Sequence, residues 1–204
     1  MGNTNPVLLF LSALLLSAAA ARTPTRPAAV LDVSGQSLRR GVEYYVLPVY
    51  RGRGGGLTLA GRNGTTCPLN VAQEAPEVAD GLPLTFRPAD AREAAVRLSA
   101  DANVEFAAST ACVQSTVWRL GGADGAAGRR YVTAGGVAGS PGVGTVSNWF
   151  KIERDGERDY KLVFCPTVCS FCKVVCGDLG VFYEDGRRWL ALTDQPLPVM
   201  FKKA

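Results

Sequence analysis

The chain has 204 residues, with 22 Lys and Arg, 18 Asp and Glu, and no histidine. Without histidine, no Ser-His-Asp or Cys-His nucleophile and no histidine metal site can be built. The net charge of +4 is spread thinly, so a nucleic-acid-binding stripe is not indicated.

Val7 to Leu16, VLLFLSALLL, is apolar, and five small residues, Ser17 to Ala21, follow it. That pattern is a secretory signal peptide, with cleavage expected near Ala20 or Ala21. It is short for a membrane span, and no other segment is apolar enough to form an anchor. Residues 1–21 are thus read as a signal and 22–204 as one domain, large enough to bury its own core. Extracellular or vacuolar delivery through the secretory pathway is the corresponding expectation.

Arg22 to Pro27 reads as a loose tail and Val30 to Val33 as a first strand. Tyr44 to Val49, YYVLPV, is rich in aromatic and β-branched residues and reads as another. Arg51 to Gly56, RGRGGG, lacks the Gly-Lys-Ser/Thr of a phosphate loop and reads as a tight connection into Leu57 to Leu59. Asn63-Gly64-Thr65 is a glycosylation sequon and so marks a solvent-facing loop. Cys67 to Val71 and Leu82 to Phe86 are further short strand candidates.

Ala89 to Ala108 is ambiguous. Its alanines favour a helix, but the alternation Val96, Leu98 and Val104, Phe106 favours strands around a turn at Ser99 to Asn103. Tyr131 to Thr133, Trp149 to Glu153, Tyr160 to Phe164, Val181 to Tyr183, Trp189 to Leu192 and Met200 to Lys203 continue the strand pattern. Asp155-Gly156 and Asp185-Gly186 mark hairpin tips. Ser115 to Leu120, STVWRL, is echoed by Ser147 to Ile152, SNWFKI, which is compatible with a repeated β unit. Many short strands between glycine turns argue an all-β domain.

The six cysteines are even in number. Cys165, Cys169, Cys172 and Cys176 have palindromic spacing, which suits nested bridges, Cys165–Cys176 outside and Cys169–Cys172 inside. Cys67 and Cys112 then most simply pair with each other. Six cysteines allow 15 connectivities, so the spacing does not prove this one. A zinc site would ordinarily use C-x2-C knuckles on two arms, and only Cys169 and Cys172 have that interval. A secretory compartment favours disulfides. No metal or cofactor is expected. Neither is an enzyme: there is no G-x-S-x-G elbow, and the carboxylates cluster at turns.

An ordered set of residues resembles the plant Kunitz soybean-trypsin-inhibitor family, in its miraculin-like branch. It runs through Val30-Leu31-Asp32, Tyr44 to Pro48, Gly54 to Leu57, Cys67-Pro68-Leu69, Ser115 to Trp118 and Trp149 to Glu153. The most specific blocks are Tyr160 to Pro166, YKLVFCP, and Cys176 to Gly180, CGDLG. The resemblance covers essentially the whole mature chain. It implies a β-trefoil of three four-strand units, with a six-stranded barrel and a hairpin cap. Ala89 to Ala94 then becomes an exposed loop instead of a helix. Members of the branch often carry another cysteine before the YKLVF block, used between chains. Arg154 to Asp159 has none, so a monomer is expected.

The resemblance also implies a defence or storage role and, for some members, inhibition of serine endopeptidases by a substrate-like loop held extended. That loop is Phe86 to Ala95, FRPADAREAA. Arg92 would enter a trypsin-like pocket, with Glu93 immediately after it. Arg87 is a second basic candidate, and Ala91 suits a subtilisin-like pocket. The asparagine that braces the loop in the family corresponds to about Arg40. Related cereal members inhibit subtilisin-like proteases or α-amylase, so α-amylase or another carbohydrate-active enzyme is the alternative target. A storage or carbohydrate-binding protein without an enzyme target is the third class.

Overall fold

The computed structural model describes residues 26–125 and 128–204. The expected signal peptide lies outside the described residues. Twelve strands are present among them, all paired antiparallel. They are β1 (Tyr44–Pro48), β2 (Leu57–Gly61), β3 (Leu69–Gln73), β4 (Leu84–Pro88), β5 (Ala102–Phe106) and β6 (Arg119–Asp124). The second half holds β7 (Arg129–Thr133), β8 (Lys151–Arg154), β9 (Tyr160–Phe164), β10 (Gly177–Glu184), β11 (Arg187–Thr193) and β12 (Val199–Lys203).

Six strands close into a ring. β1 pairs with β4, β4 with β5, β8 with β9, β9 with β12, and β12 with β1. The Ala102–Phe150 bridge closes the gap between β5 and the start of β8. Closure leaves this sheet no open edge. The other six strands form three hairpins, β2–β3, β6–β7 and β10–β11. Each hairpin touches the other two, through Asn70 with Thr133, Tyr131 with Ala191, and Trp189 with Ala72. Barrel and triangular cap together make a β-trefoil.

Alternation along the barrel strands sends every second side chain inward. Phe86, Phe106 and Phe201 on these strands, with Trp118 just before β6 and Phe150 just before β8, are all fully buried. Phe86 meets Phe201 edge-on at 5.6 Å, and Phe150 bridges Trp118 and Phe164 at 5.8 and 5.5 Å. Such offset and edge-to-face pairs add about 0.5–1.5 kcal/mol each beyond area burial. Small Ala60, Ala72 and Ala191 beside Tyr131 and Trp189 let the three hairpins approach one another.

Charge fastens the hairpin tips. Arg62, just beyond β2, pairs with Asp124 at the end of β6 and, at 2.7 Å, with Glu184 at the end of β10. Its guanidinium lies 3.8 Å from the Tyr131 ring centre, and the Tyr131 hydroxyl donates to Glu184 at 2.9 Å. Burial opposes the Arg62 charge, but the two carboxylates outweigh it and raise its pKa. The Arg62 guanidinium, and then the Tyr131 hydroxyl, hold Glu184 below its ordinary value.

All three disulfides form as read: Cys67–Cys112, Cys165–Cys176 and Cys169–Cys172. The four clustered sulfurs are therefore engaged with each other, which removes the zinc alternative for them. Gly55 and Gly56 of RGRGGG are required by close backbone approach. A Cβ at Gly55 would stand 2.4 Å from the carbonyls of Ala79 and Pro76, and one at Gly56 would stand 2.0 Å from that of Asp80.

Three expectations differ in detail. Val30 to Val33 is not a continuous strand, and neither is Val96 to Leu98. Isolated bridges join Ala29 to Arg97, Leu31 to Ser37 and Arg39 to Ala95. Three short segments meet at one small knot, so none has room for a ladder. The Ser99 to Asn103 turn ends earlier than expected, because Ala102 and Asn103 already belong to β5. Within the glycine-rich stretch after β7, Val143–Asn148 winds into a short 3-10 helix.

Candidate functional site

The loop between β4 and β5 rests on that knot. Val30 N–H donates to the Val96 carbonyl at 2.9 Å, Leu38 N–H to Val30 at 2.8 Å, and Val96 N–H to Leu38 at 2.9 Å. The three side chains are buried in the main core, which fixes the outgoing arm of the loop. The incoming arm is β4, where Gly41 N–H donates to the Phe86 carbonyl at 3.0 Å.

Between the arms the tip is a compact turn. Glu93 N–H donates to the Asp90 carbonyl at 3.0 Å. The Asp90 carboxylate accepts the Arg92 N–H at 2.9 Å and the Arg92 side chain at 3.3 Å. An aspartate that accepts from the backbone two residues on is an Asx turn. The Arg92 N–H is the main cause holding the Asp90 carboxyl below its ordinary range. An extended tip was the expectation. The turn replaces it because Asp90 offers the backbone a local partner.

Arg92 projects from this turn with its side chain 92% exposed, and Ala91 is exposed beside it. Glu93 faces the other way. Its side chain is 14% exposed and pairs with Arg97 at 2.8 Å and with Arg26, while Ala95 N–H donates to it at 3.2 Å. Arg97 first, then Arg26 and the Ala95 amide, hold its pKa down to about 2. Glu93 is therefore a structural anchor for the loop. Arg97 also donates to the Pro27 carbonyl at 2.8 Å, which ties the N-terminal segment to the same point.

Arg40 donates from its guanidinium to the Ala91 carbonyl, and its own N–H donates to Ala94 at 2.9 Å. It thus braces the loop at the position where the family resemblance places an asparagine. Arg87 lies apart from the tip. It is on β4 opposite Asn103, with its guanidinium 3.7 Å from Glu105. Ala91, Arg92 and Glu93 are brought together, and Arg87 is not among them.

Sequence reasoning missed Arg26, Asp90 and Arg97. Asp90 carried a local signal, the aspartate two residues before Arg92. Arg97 lies only four residues from Glu93, but Arg26 becomes visible as a partner only when the knot is folded. Asn63 is exposed in the turn that links β2 and β3, at a positive φ of 57°.

The sequence profile of the family described as "Trypsin and protease inhibitor", the legume Kunitz type, matches residues 30–203. Kunitz trypsin inhibitor 5 of Arabidopsis thaliana is 45% identical over 197 residues, covering 97% of this chain and 96% of the relative. Miraculin of Synsepalum dulcificum is 48% identical over 204 residues, covering 95% and 93%. Among solved structures, the bifunctional α-amylase/subtilisin inhibitor of Oryza sativa superposes with a TM-score of 0.72 at 38% identity, over 88% of this chain and 100% of that one. Soybean trypsin inhibitor superposes with a TM-score of 0.70 at 27% identity, over 87% and 100%. The Arabidopsis, rice and soybean proteins are named as inhibitors, not enzymes, and the chain belongs to the family that the profile describes, the Kunitz-type trypsin and protease inhibitors.

Proposed function

We propose that the protein is a secreted inhibitor of serine endopeptidases, and that it acts through the loop at residues 89–95. Arg92 enters a trypsin-like specificity pocket, where a buried carboxylate pairs with its guanidinium. The observation that carries this reading is the contrast between Arg92 and its surroundings. One exposed arginine stands on a turn whose two flanks are hydrogen-bonded to the knot. A loop held in place before binding loses little conformational freedom on binding, and it stays in position for religation after any attack. Laying the tip along a protease cleft opens the Asp90–Glu93 hydrogen bond, at a cost of about 1 kcal/mol. A buried arginine anchor contributes about 2 kcal/mol or more, so the exchange is favourable.

Secretion and a glycan on Asn63 belong to the same proposal, as does a role in plant defence. A second reading is favoured by the likeness to the rice protein, whose name includes α-amylase as well as subtilisin. In that reading an α-amylase is the target, bound outside residues 89–95; Ala91 in a subtilisin-like pocket belongs to the first reading. Steady-state titration of the secreted protein against trypsin, chymotrypsin, subtilisin and α-amylase tests both. Inhibition of trypsin supports the first reading. Inhibition of α-amylase alone replaces it with the second, and inhibition of none leaves the storage or carbohydrate-binding class.

A further inference from the structure

A cleft of about 880 Å³ opens beside β10 and β11, at the end of β1 remote from residues 89–95. β1 separates the two places: Tyr44 at its start pairs with Leu84, whereas Pro48 at its end lines the cleft. The volume lies within the roughly 300–1,000 Å³ typical of small-molecule sites. Its walls are polar and apolar in about equal parts; the apolar side chains include Val181 and Leu192 on the hairpin strands and Leu197 on the connection to β12. Tyr50 and Tyr183 stand in the walls with 56% and 72% of their surfaces exposed. Both are large aromatic groups left uncovered in a concave surface, where a ligand would gain most by covering them.

Charge selects the kind of ligand. Arg53 and Arg188 line the cleft, and among the described residues neither makes an ion pair. Asp194 is the single carboxylate in the lining. Arg188 also lines a smaller adjoining cavity of about 280 Å³, together with Glu74 and Gln73. Its guanidinium sits at the junction, where a Cβ on Gly54 would stand 3.2 Å from its Nη1 and 3.1 Å from the Gln73 Cδ. Gln73 is buried, donates to the Gly55 carbonyl at 3.0 Å, and leaves its Oε1 without a partner. The cleft thus combines apolar and aromatic surface with two guanidinium forks that make no ion pair among the described residues. A planar carboxylate matches such a fork in geometry and in charge.

We propose that this cleft binds a small amphipathic carboxylate, an aryl or alkyl chain ending in a carboxylate, with the acid held by Arg188 and Arg53 and the chain against Tyr50, Tyr183 and Leu192. The site is independent of protease inhibition. The Cys165–Cys176 bridge contributes to it, because Val175, Cys176 and Gly177 form one wall.

The test uses the full secreted chain, with 4-phenylbutyrate and its neutral amide as probes, read by titration calorimetry and by amide NMR shifts at Val181 and Leu192. The carboxylate binds at least about tenfold more tightly than the amide, and Arg188→Gln and Arg53→Gln each weaken it by about tenfold. Leu192→Trp, which adds bulk to the cleft wall and keeps both arginines, abolishes binding of both probes. Trypsin inhibition is the same with and without phenylbutyrate, so failure of the cleft and failure of the loop are separate results. Equal affinity for the two probes overturns the proposal. So does unchanged phenylbutyrate affinity in both arginine variants, or no binding at millimolar concentration.

Discussion

The Arg40 guanidinium donates to the carbonyl of Ala91, across 51 residues of sequence, and so holds the tip of the candidate inhibitory loop from below. An arginine performs here the bracing that the family resemblance assigns to an asparagine, and its reach suits a tip folded into a turn. Arg40→Ala leaves Arg92 in place but releases the Ala91 carbonyl to solvent. The expected result is trypsin inhibition weakened by about 1 kcal/mol, roughly fivefold in the inhibition constant. Cleavage of the loop during prolonged incubation should rise at the same time. Unchanged inhibition and unchanged cleavage would remove Arg40 from the mechanism.

Glu93 makes the loop sensitive to acid. Its carboxyl titrates at about 2 in the folded protein, below its ordinary 4.5. A lowered folded pKa means that the unfolded chain takes up the proton first as pH falls. The stabilisation is therefore complete above about pH 4.5, and it is lost progressively as pH falls through the folded value near 2. The Asp90 carboxyl is shifted in the same direction. A carbon-detected NMR titration of the Glu93 carboxyl should show a midpoint near 2. Glu93→Gln should be less stable than the parent at pH 5 and equal to it at pH 2. A Glu93 midpoint near 4.5 would show that Arg97 and Arg26 do not hold it in solution.

The clasp at the hairpin tips predicts a stability effect far from the loop. The Arg62 side chain is only 12% exposed, and its removal leaves Glu184 and Asp124 facing each other without a cation. Arg62→Ala should lower the melting temperature by at least 2–4 °C, the shift that roughly 1 kcal/mol produces in a domain of this size. Protease inhibition should be unaffected at room temperature. Calorimetric scans of Arg62→Ala and of Arg62→Ala/Glu184→Gln check this: the second change should recover part of the loss. A single variant that melts with the parent would show that the clasp contributes nothing.

The three disulfides should rank by the length of chain they close. Their sequence separations are 45, 11 and 3 residues. Chain entropy gives about 4, 3 and 2 kcal/mol for loops of such lengths. Paired Cys→Ser variants unfolded by denaturant should keep that order, with loss of Cys67–Cys112 the most damaging. Greater damage from loss of Cys169–Cys172 would mean that the short ring orders the native loop in a way chain entropy does not describe.

The barrel was legible because its strands are local patterns. YKLVF alternates, the Asp-Gly pairs mark tips, and the palindromic cysteines favoured the nested pairs that the structure contains. RGRGGG was legible as a tight connection, but the reason for Gly55 and Gly56 was not, since it lies in carbonyls of Pro76, Ala79 and Asp80. Val30 to Val33 has strand composition yet forms only bridges, because ladder length depends on the segments that meet it. The exposed Arg92 could be placed by resemblance. The inward turn of Glu93 could not, because its partner Arg26, 67 residues away, is brought to it by the pairing of residues 29 and 97, and the nearby Arg97 gains its geometry from the same bridge.

The most direct test of the inhibitory account is the trypsin inhibition constant of the protein beside that of Arg92→Ala, with circular dichroism to establish that the two folds match. The side chain is 92% exposed and makes its one ion pair with neighbouring Asp90, so its loss should leave the trefoil intact. The account predicts trypsin inhibition by the parent, weakened by about 2 kcal/mol or more in Arg92→Ala, roughly thirtyfold. Equal trypsin inhibition by both proteins would contradict the assignment of Arg92. Failure of the parent to inhibit trypsin, chymotrypsin or subtilisin at micromolar concentration would contradict the serine-protease reading itself.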